Sequence, residues 1–318
     1  MRIKHFLKLS LICSFNLFGC DDACEDNLDV KKCGALLRPA MKPGSEIVEN
    51  IELRMELKLR SGETDILNAF LGSLETEFMR SIKQSIRCIE WDDNTPSKYE
   101  LQVLKHEDNN FFSRLMRNEF PMINEPIVIE RQDFSDWVAR KKGTRITDSE
   151  EEEELNQIAV DFNFTDEFWP DYRVNVGDKW EAEITSLRRL PRLSNMDIRS
   201  ELQFVSTSTI GGHLCALIDE FTTIEGELDD SDDDNSDGKM TSMRLQFEAK
   251  IVFDLVDNIV LSESGNGLAC LKIKRTESNY SQDIGLFNNL IIEGPFTYRY
   301  TALKSSNLEQ QSNEGKEL

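Results

Sequence analysis

The chain has 318 residues, 39% of them hydrophobic, with 59 acidic residues against 37 basic ones and a formal net charge of −22. A balance this acidic excludes nucleic acid as a partner, because backbone recognition needs Lys and Arg to displace phosphate counterions, and the same field repels anionic headgroups. The apolar content still suffices for a core, and the length accommodates one large β domain or two smaller ones.

Residues 1–19 read as a signal peptide. Arg2, Lys4 and Lys8 form a basic start and Leu9 to Phe18 an apolar run of secretory length. A membrane-spanning helix needs about 20 apolar residues, and Ser10, Ser14 and Asn16 interrupt this run. It closes on Leu17-Phe18-Gly19-Cys20, which resembles the lipobox of bacterial lipoproteins, with Phe18 bulkier than the residue usual at its place. The resemblance implies that the Cys20 thiol is lipidated and the chain cut on its N-terminal side. It also implies two or three acyl chains, palmitate among them, as a membrane anchor. Since each buried methylene contributes about 0.8 kcal/mol and one chain binds only reversibly, such an anchor holds permanently. Asp21 and Asp22 then resemble the inner-membrane retention signal of enteric-type lipoproteins, which places the body in the cell envelope at the outer face of the inner membrane. The alternative is an ordinary secretory signal, with Cys20 a disulfide partner.

Residues 20–46 are polar, contain Pro39, Pro43 and Gly44, and read as a tether. Outside the cytoplasm Cys24 and Cys33 are placed to close a small disulfide loop within it. Cys88, Cys215 and Cys270 read as buried free thiols or, for the last two, as a bridge facing one core. Without a Cys-x-x-Cys or a Cys/His cluster, no zinc site and no cofactor are expected.

An N-terminal β half is expected over 47–145. Ile51, Leu53, Met55, Leu57 and Leu59 alternate with Glu52, Arg54, Glu56, Lys58 and Arg60, as in a half-buried strand. Further alternations run through Leu74, Phe78, Ile82, Ile86 and Cys88, and through Tyr99, Leu101 and Val103. A rival reading makes Asp65 to Ser81 a helix presenting Ile66, Phe70, Leu74 and Phe78. Ile127, Ile129, Phe134 and Trp137 belong to a further hairpin. Residues 146–168, with the acidic run Asp148 to Glu154 before Leu155, Ile158 and Val160, read as a solvated linker or short helix.

The C-terminal β half, 169–303, opens on Trp169-Pro170 and Val174-Asn175-Val176-Gly177-Asp178-Lys179-Trp180. The V-x-V-G-D-x-W pattern is similar to one in uncharacterised secreted bacterial β-proteins. Pro170 bars a helix, Gly177-Asp178 supplies a turn, and Trp180 opens a strand as a core residue. Met243, Leu245, Phe247, Ala249, Ile251, Phe253 and Leu255 form one long apolar face. At about 3.3 Å per residue such a strand exceeds the common length of roughly 17 to 20 Å, and strands this long twist and coil. Ala269, Leu271 and Ile273, then Phe296, Tyr298 and Tyr300, give two more strands, and 304–318 is a polar tail. The expected fold is mainly β, with α+β as the alternative: long antiparallel curved sheets, half-barrel-like, in two halves.

No nucleophile elbow, metalloprotease helix, P-loop or dinucleotide fingerprint is present, so no catalytic residue and no enzyme activity are assigned. Asp233, Asn235, Asp237 and Gly238 match the opening of a calcium loop, but Arg244 stands where a bidentate Glu belongs. The stretch therefore reads as an acidic hairpin loop, with weak calcium binding as the alternative. Two functions remain: a non-catalytic structural or protein-interaction lipoprotein, or a carrier for a lipid or other apolar ligand in the concave face of a curved sheet.

Overall fold

The computed structural model describes residues 34–59, 75–92, 95–108, 122–132, 136–142, 151–152, 155–156, 158–159, 162, 168–182, 193–228, 239–274 and 289–304. Eleven strands are formed: β1 (Glu46–Leu59), β2 (Glu75–Asp92), β3 (Thr95–Asp108), β4 (Pro126–Gln132), β5 (Asp136–Lys141), β6 (Lys179–Ala182), β7 (Leu193–Ile210), β8 (His213–Leu228), β9 (Lys239–Asp254), β10 (Ile259–Lys274) and β11 (Asn289–Lys304). They make one antiparallel sheet in the order β5-β4-β3-β2-β1-β11-β10-β9-β8-β7-β6. The fold is thus the expected curved, mainly β one, left open with β5 and β6 at its edges. The two expected halves are continuous, because β1 pairs β11 from Ile47↔Lys304 to Leu59↔Ile292. No helix among the described residues is long and apolar enough to cross a membrane.

Alternation dictates the two faces. On β1, Ile47, Ile51, Leu53, Met55 and Leu57 are buried, whereas Glu52, Arg54, Glu56 and Lys58 are exposed. Cross-strand partners share a face, so the same inner surface continues through Tyr300 and Phe296 on β11, Ala269 and Leu271 on β10, and Leu245, Ile251 and Phe253 on β9. It carries three apolar clusters. One joins β1–β5 to Leu155, Ile158, Ala159 and Phe162, another surrounds Trp169, Trp180, Phe204 and Phe253, and the third spans β1, β11, β10, β9 and β8 from Leu53 to Ile224.

Glycines set the curvature where strands approach too closely for a side chain. A Cβ at Gly267 would lie 2.0 Å from the Gln246 carbonyl oxygen, and one at Gly294 1.9 Å from that of Glu56. Gly267 stands in register between Phe296 and Phe247, whose rings meet edge to face with centroids 5.7 Å apart. The flanking aromatics cover the bare backbone that permits the bend.

The strand reading of the second alternation holds over the described residues, and two other expectations are corrected. Residues 75–81 are strand, part of β2, so the helix over 65–81 fails there, while 65–74 lie outside the described residues. Ala35, Leu37 and Met41 lie within the expected tether yet are buried, since Ala35 bridges Val174 and the segment closes the end of two clusters. Of the two readings of 146–168 the short helix is found at Leu155, Ile158, Ala159 and Phe162, but these residues are buried and not solvated: Phe162 packs against Tyr99 and Trp137, with ring centroids 5.3 and 5.6 Å away. The Ile127, Ile129 and Trp137 hairpin is found as β4–β5.

Candidate functional site

The Val174–Trp180 motif proves to be a fastener. Val174 exchanges both backbone hydrogen bonds with Ala35, at 2.7 and 2.9 Å. The Asn175 amide donates to Asp178 Oδ2 at 2.7 Å, and Gly177, at φ 98°, lets its amide reach the Phe204 carbonyl at 2.7 Å. Trp180 is buried, with its indole N–H 3.4 Å from the Phe168 carbonyl oxygen. Val174, Gly177, Asp178 and Trp180 are thus occupied in joining the N-terminal segment, β6 and β7, whereas Val176 is exposed.

Two groups of polar side chains stand out from this apolar background. The first interrupts the inner face midway along the strands. Glu49, in phase with Ile47 and Ile51, is buried and accepts hydrogen bonds from the Tyr300 hydroxyl at 2.6 Å and the Gln84 amide at 2.7 Å. Across the same face Glu220 is 5% exposed, and its Oε1 accepts from Thr222 Oγ1 at 2.6 Å and Ser200 Oγ at 3.4 Å. Its Oε2 has no hydrogen-bond partner. Burial, with the nearby charge of Glu263, pushes the Glu220 carboxyl up to about 8, outweighing the two hydroxyls. Glu220 is therefore largely a neutral acid at pH 7. Phe247, Tyr298, Ile82 and Glu263 are also inward-phased yet only half-buried, so this belt is partly accessible.

The second group lies at a rim where two hairpins end. Gly211 and Gly212, at φ 57° and 87°, make the two-residue turn between β7 and β8 that delivers His213. The β9–β10 turn is held by Asp254, whose Oδ1 accepts from the Val256 and Asp257 amides at 2.8 and 3.1 Å. His213 Nδ1 sits 2.7 Å from Asp254 Oδ2 and 3.7 Å from Asp257 Oδ2. Lys304, at the end of β11, pairs with Asp257. Burial alone would raise the Asp257 carboxyl, but the hydrogen bond and charge of Lys304, aided by Asp254 and Lys42, hold it below the ordinary value. Cys215, opposite Asp254 in the β8–β9 register, has its thiol pushed up by burial and by the Asp254 charge.

Cys20, Cys24, Cys33, Asp233, Asn235 and Asp237 lie outside the described residues. Cys88, Cys215 and Cys270 are free thiols; Cys215 and Cys270 are on different strands of the outer phase and are not bridged. The polar groups just described were not assigned from the sequence. The signal for Glu49 and Glu220 was a carboxylate in the apolar phase of an alternating strand, and for His213 a Gly-Gly turn directly before it.

No protein-family model matches the chain, and no curated protein matches it in sequence. Among solved structures it is weakly similar to an outer membrane channel from Pseudomonas putida F1, at 9% identity over 83% of this chain and 97% of that one, with a TM-score of 0.16. A superposition that poor carries no argument.

Proposed function

We propose that the chain is a lipid-tethered cell-envelope protein, anchored through Cys20, whose β body has a non-catalytic structural or protein-interaction role. The observation that carries this reading is the filling of the inner face: side chains from all eleven strands, with Ala35, Leu37 and the 155–162 segment, bury one another in three apolar clusters. A sheet that spends its concave surface on its own core offers partners its outer face and rim. Asp21 after the anchor favours the outer face of the inner membrane.

The half-buried Phe247, Tyr298, Ile82 and Glu263 favour a second reading, a carrier that admits an apolar ligand to the central belt. Purification of the full chain from native membranes, followed by mass spectrometry of co-purified lipids and proteins, separates the two. A stoichiometric polypeptide is expected; a stoichiometric lipid without one would establish the carrier. Cys20→Ser is expected to move the protein to the soluble fraction. Retention on membranes after high-salt and carbonate washes would overturn the anchor.

A further inference from the structure

We infer that His213, Asp254 and Asp257 form a binding site for a zinc-class divalent cation at the rim of the sheet, with Lys304 as a resident competitor for the same carboxylates. The ligand atoms of these three residues lie within 4.8 Å of one another. Two donors each about 2.0–2.2 Å from a tetrahedral zinc stand roughly 3.4 Å apart, and the observed separations of 2.7 and 3.7 Å from His213 Nδ1 bracket that value. Small side-chain rotations suffice to bring the three donors onto one ion.

The buried member gives independent support. Asp254 is 0% exposed. Its Oδ1 is used by the turn amides, which fixes the carboxylate plane, while Oδ2 has no hydrogen bond of acceptable geometry despite the imidazole nitrogen 2.7 Å away. A buried charge is tolerated when it is paired or coordinates a metal, and this oxygen has only the close approach of His213, with no hydrogen bond, to offset its burial.

The donor set also chooses among cations. One imidazole nitrogen with two carboxylate oxygens suits zinc and its transition-metal neighbours better than calcium, which prefers six to eight oxygens. Three protein ligands leave a position for water, at a place where His213 is a third exposed. Lys304 holds Asp257 now, but with its own side chain 32% exposed it can swing into solvent when a divalent charge arrives. The three ligands come from the start of β8 and from the β9–β10 turn, so an ion there would tie two hairpin ends together.

The test is calorimetric titration of the full chain with zinc chloride, repeated for His213→Ala, Asp254→Asn and Lys304→Met. Asn at 254 keeps an oxygen for the turn amides while removing the charge, and each variant's thermal melt without metal checks its fold. One saturable site is expected in the wild type, raising the melting temperature by mass action. Loss of a ligand is expected to weaken it about 100-fold in His213→Ala and Asp254→Asn. Removing the competing ammonium is expected to tighten it about tenfold in Lys304→Met. The inference is overturned if the wild type shows no saturable site, or if folded His213→Ala binds with undiminished affinity, as it would if thiols or the acidic run at 229–237 took the metal. Unchanged affinity in Lys304→Met would equally remove the ion from this cluster.

Discussion

Glu220 shows what a single misplaced charge does inside a sheet. In the unfolded chain its carboxyl ionises near 4.5, whereas in the folded protein it holds its proton up to about 8. Between those values the native state binds more protons than the unfolded one, so stability falls as pH rises. The contribution is whole below about pH 4.5 and is lost progressively up to about 8. Glu220→Gln should therefore gain on the wild type across pH 5 to 8 in urea melts, by at most about 5 kcal/mol at about 1.4 kcal/mol per tenfold change in proton affinity. A constant difference across that range would remove the neutral acid. Trp180 acts in the opposite sense: its buried ring makes Trp180→Ala expected to cost about 3 to 5 kcal/mol in the same assay. Trp180 could be assigned to the core from its place after a turn. The Glu220 environment could not, because nothing along the chain shows that Ser200 and Thr222, on separate strands, converge on it, or that Glu263 shares its face.

At the level of elements, alternation alone identifies β1 and the long β9, since the period of two survives wherever one face is buried. It is weaker over 65–81, where Ile66, Phe70, Leu74 and Phe78 satisfy a helical spacing; pairing of β2 with β1 from Glu46↔Arg87 to Lys58↔Glu75 decides for strand over 75–81. The Gly265-Asn266-Gly267 stretch lies inside β10 despite its turn-prone composition. Its glycines are there because the neighbouring strands come too close for a Cβ. Ala for Gly in a strand ordinarily gains roughly 0.5–1 kcal/mol of backbone entropy. At Gly267 the backbone clash overrides that gain, so Gly267→Ala is expected to lower stability by about 1 to 3 kcal/mol in denaturant melts. A stabilised variant would show that β10 can flatten without loss.

For the molecule as a whole, the junction of β1 with β11 decides whether there is one body or two. Removing β11 leaves β1–β5 and β6–β10 without a shared ladder, so a chain ending at residue 288 is expected to aggregate or to melt in two weaker transitions. A single unchanged transition in calorimetry would show that the ladder is dispensable. Both runs of strands were legible as alternating segments, but their union was not, because a pairing across some 250 residues leaves no local trace. The same pairing also orders events in time. β1 is made first and its second neighbour β11 last, so one edge of β1 stays unpartnered until the end of the sheet follows it, and their pairing is expected to be the slow step of folding. Substitutions in β11 should then alter the yield of newly made protein more than equal losses of stability elsewhere in the sheet.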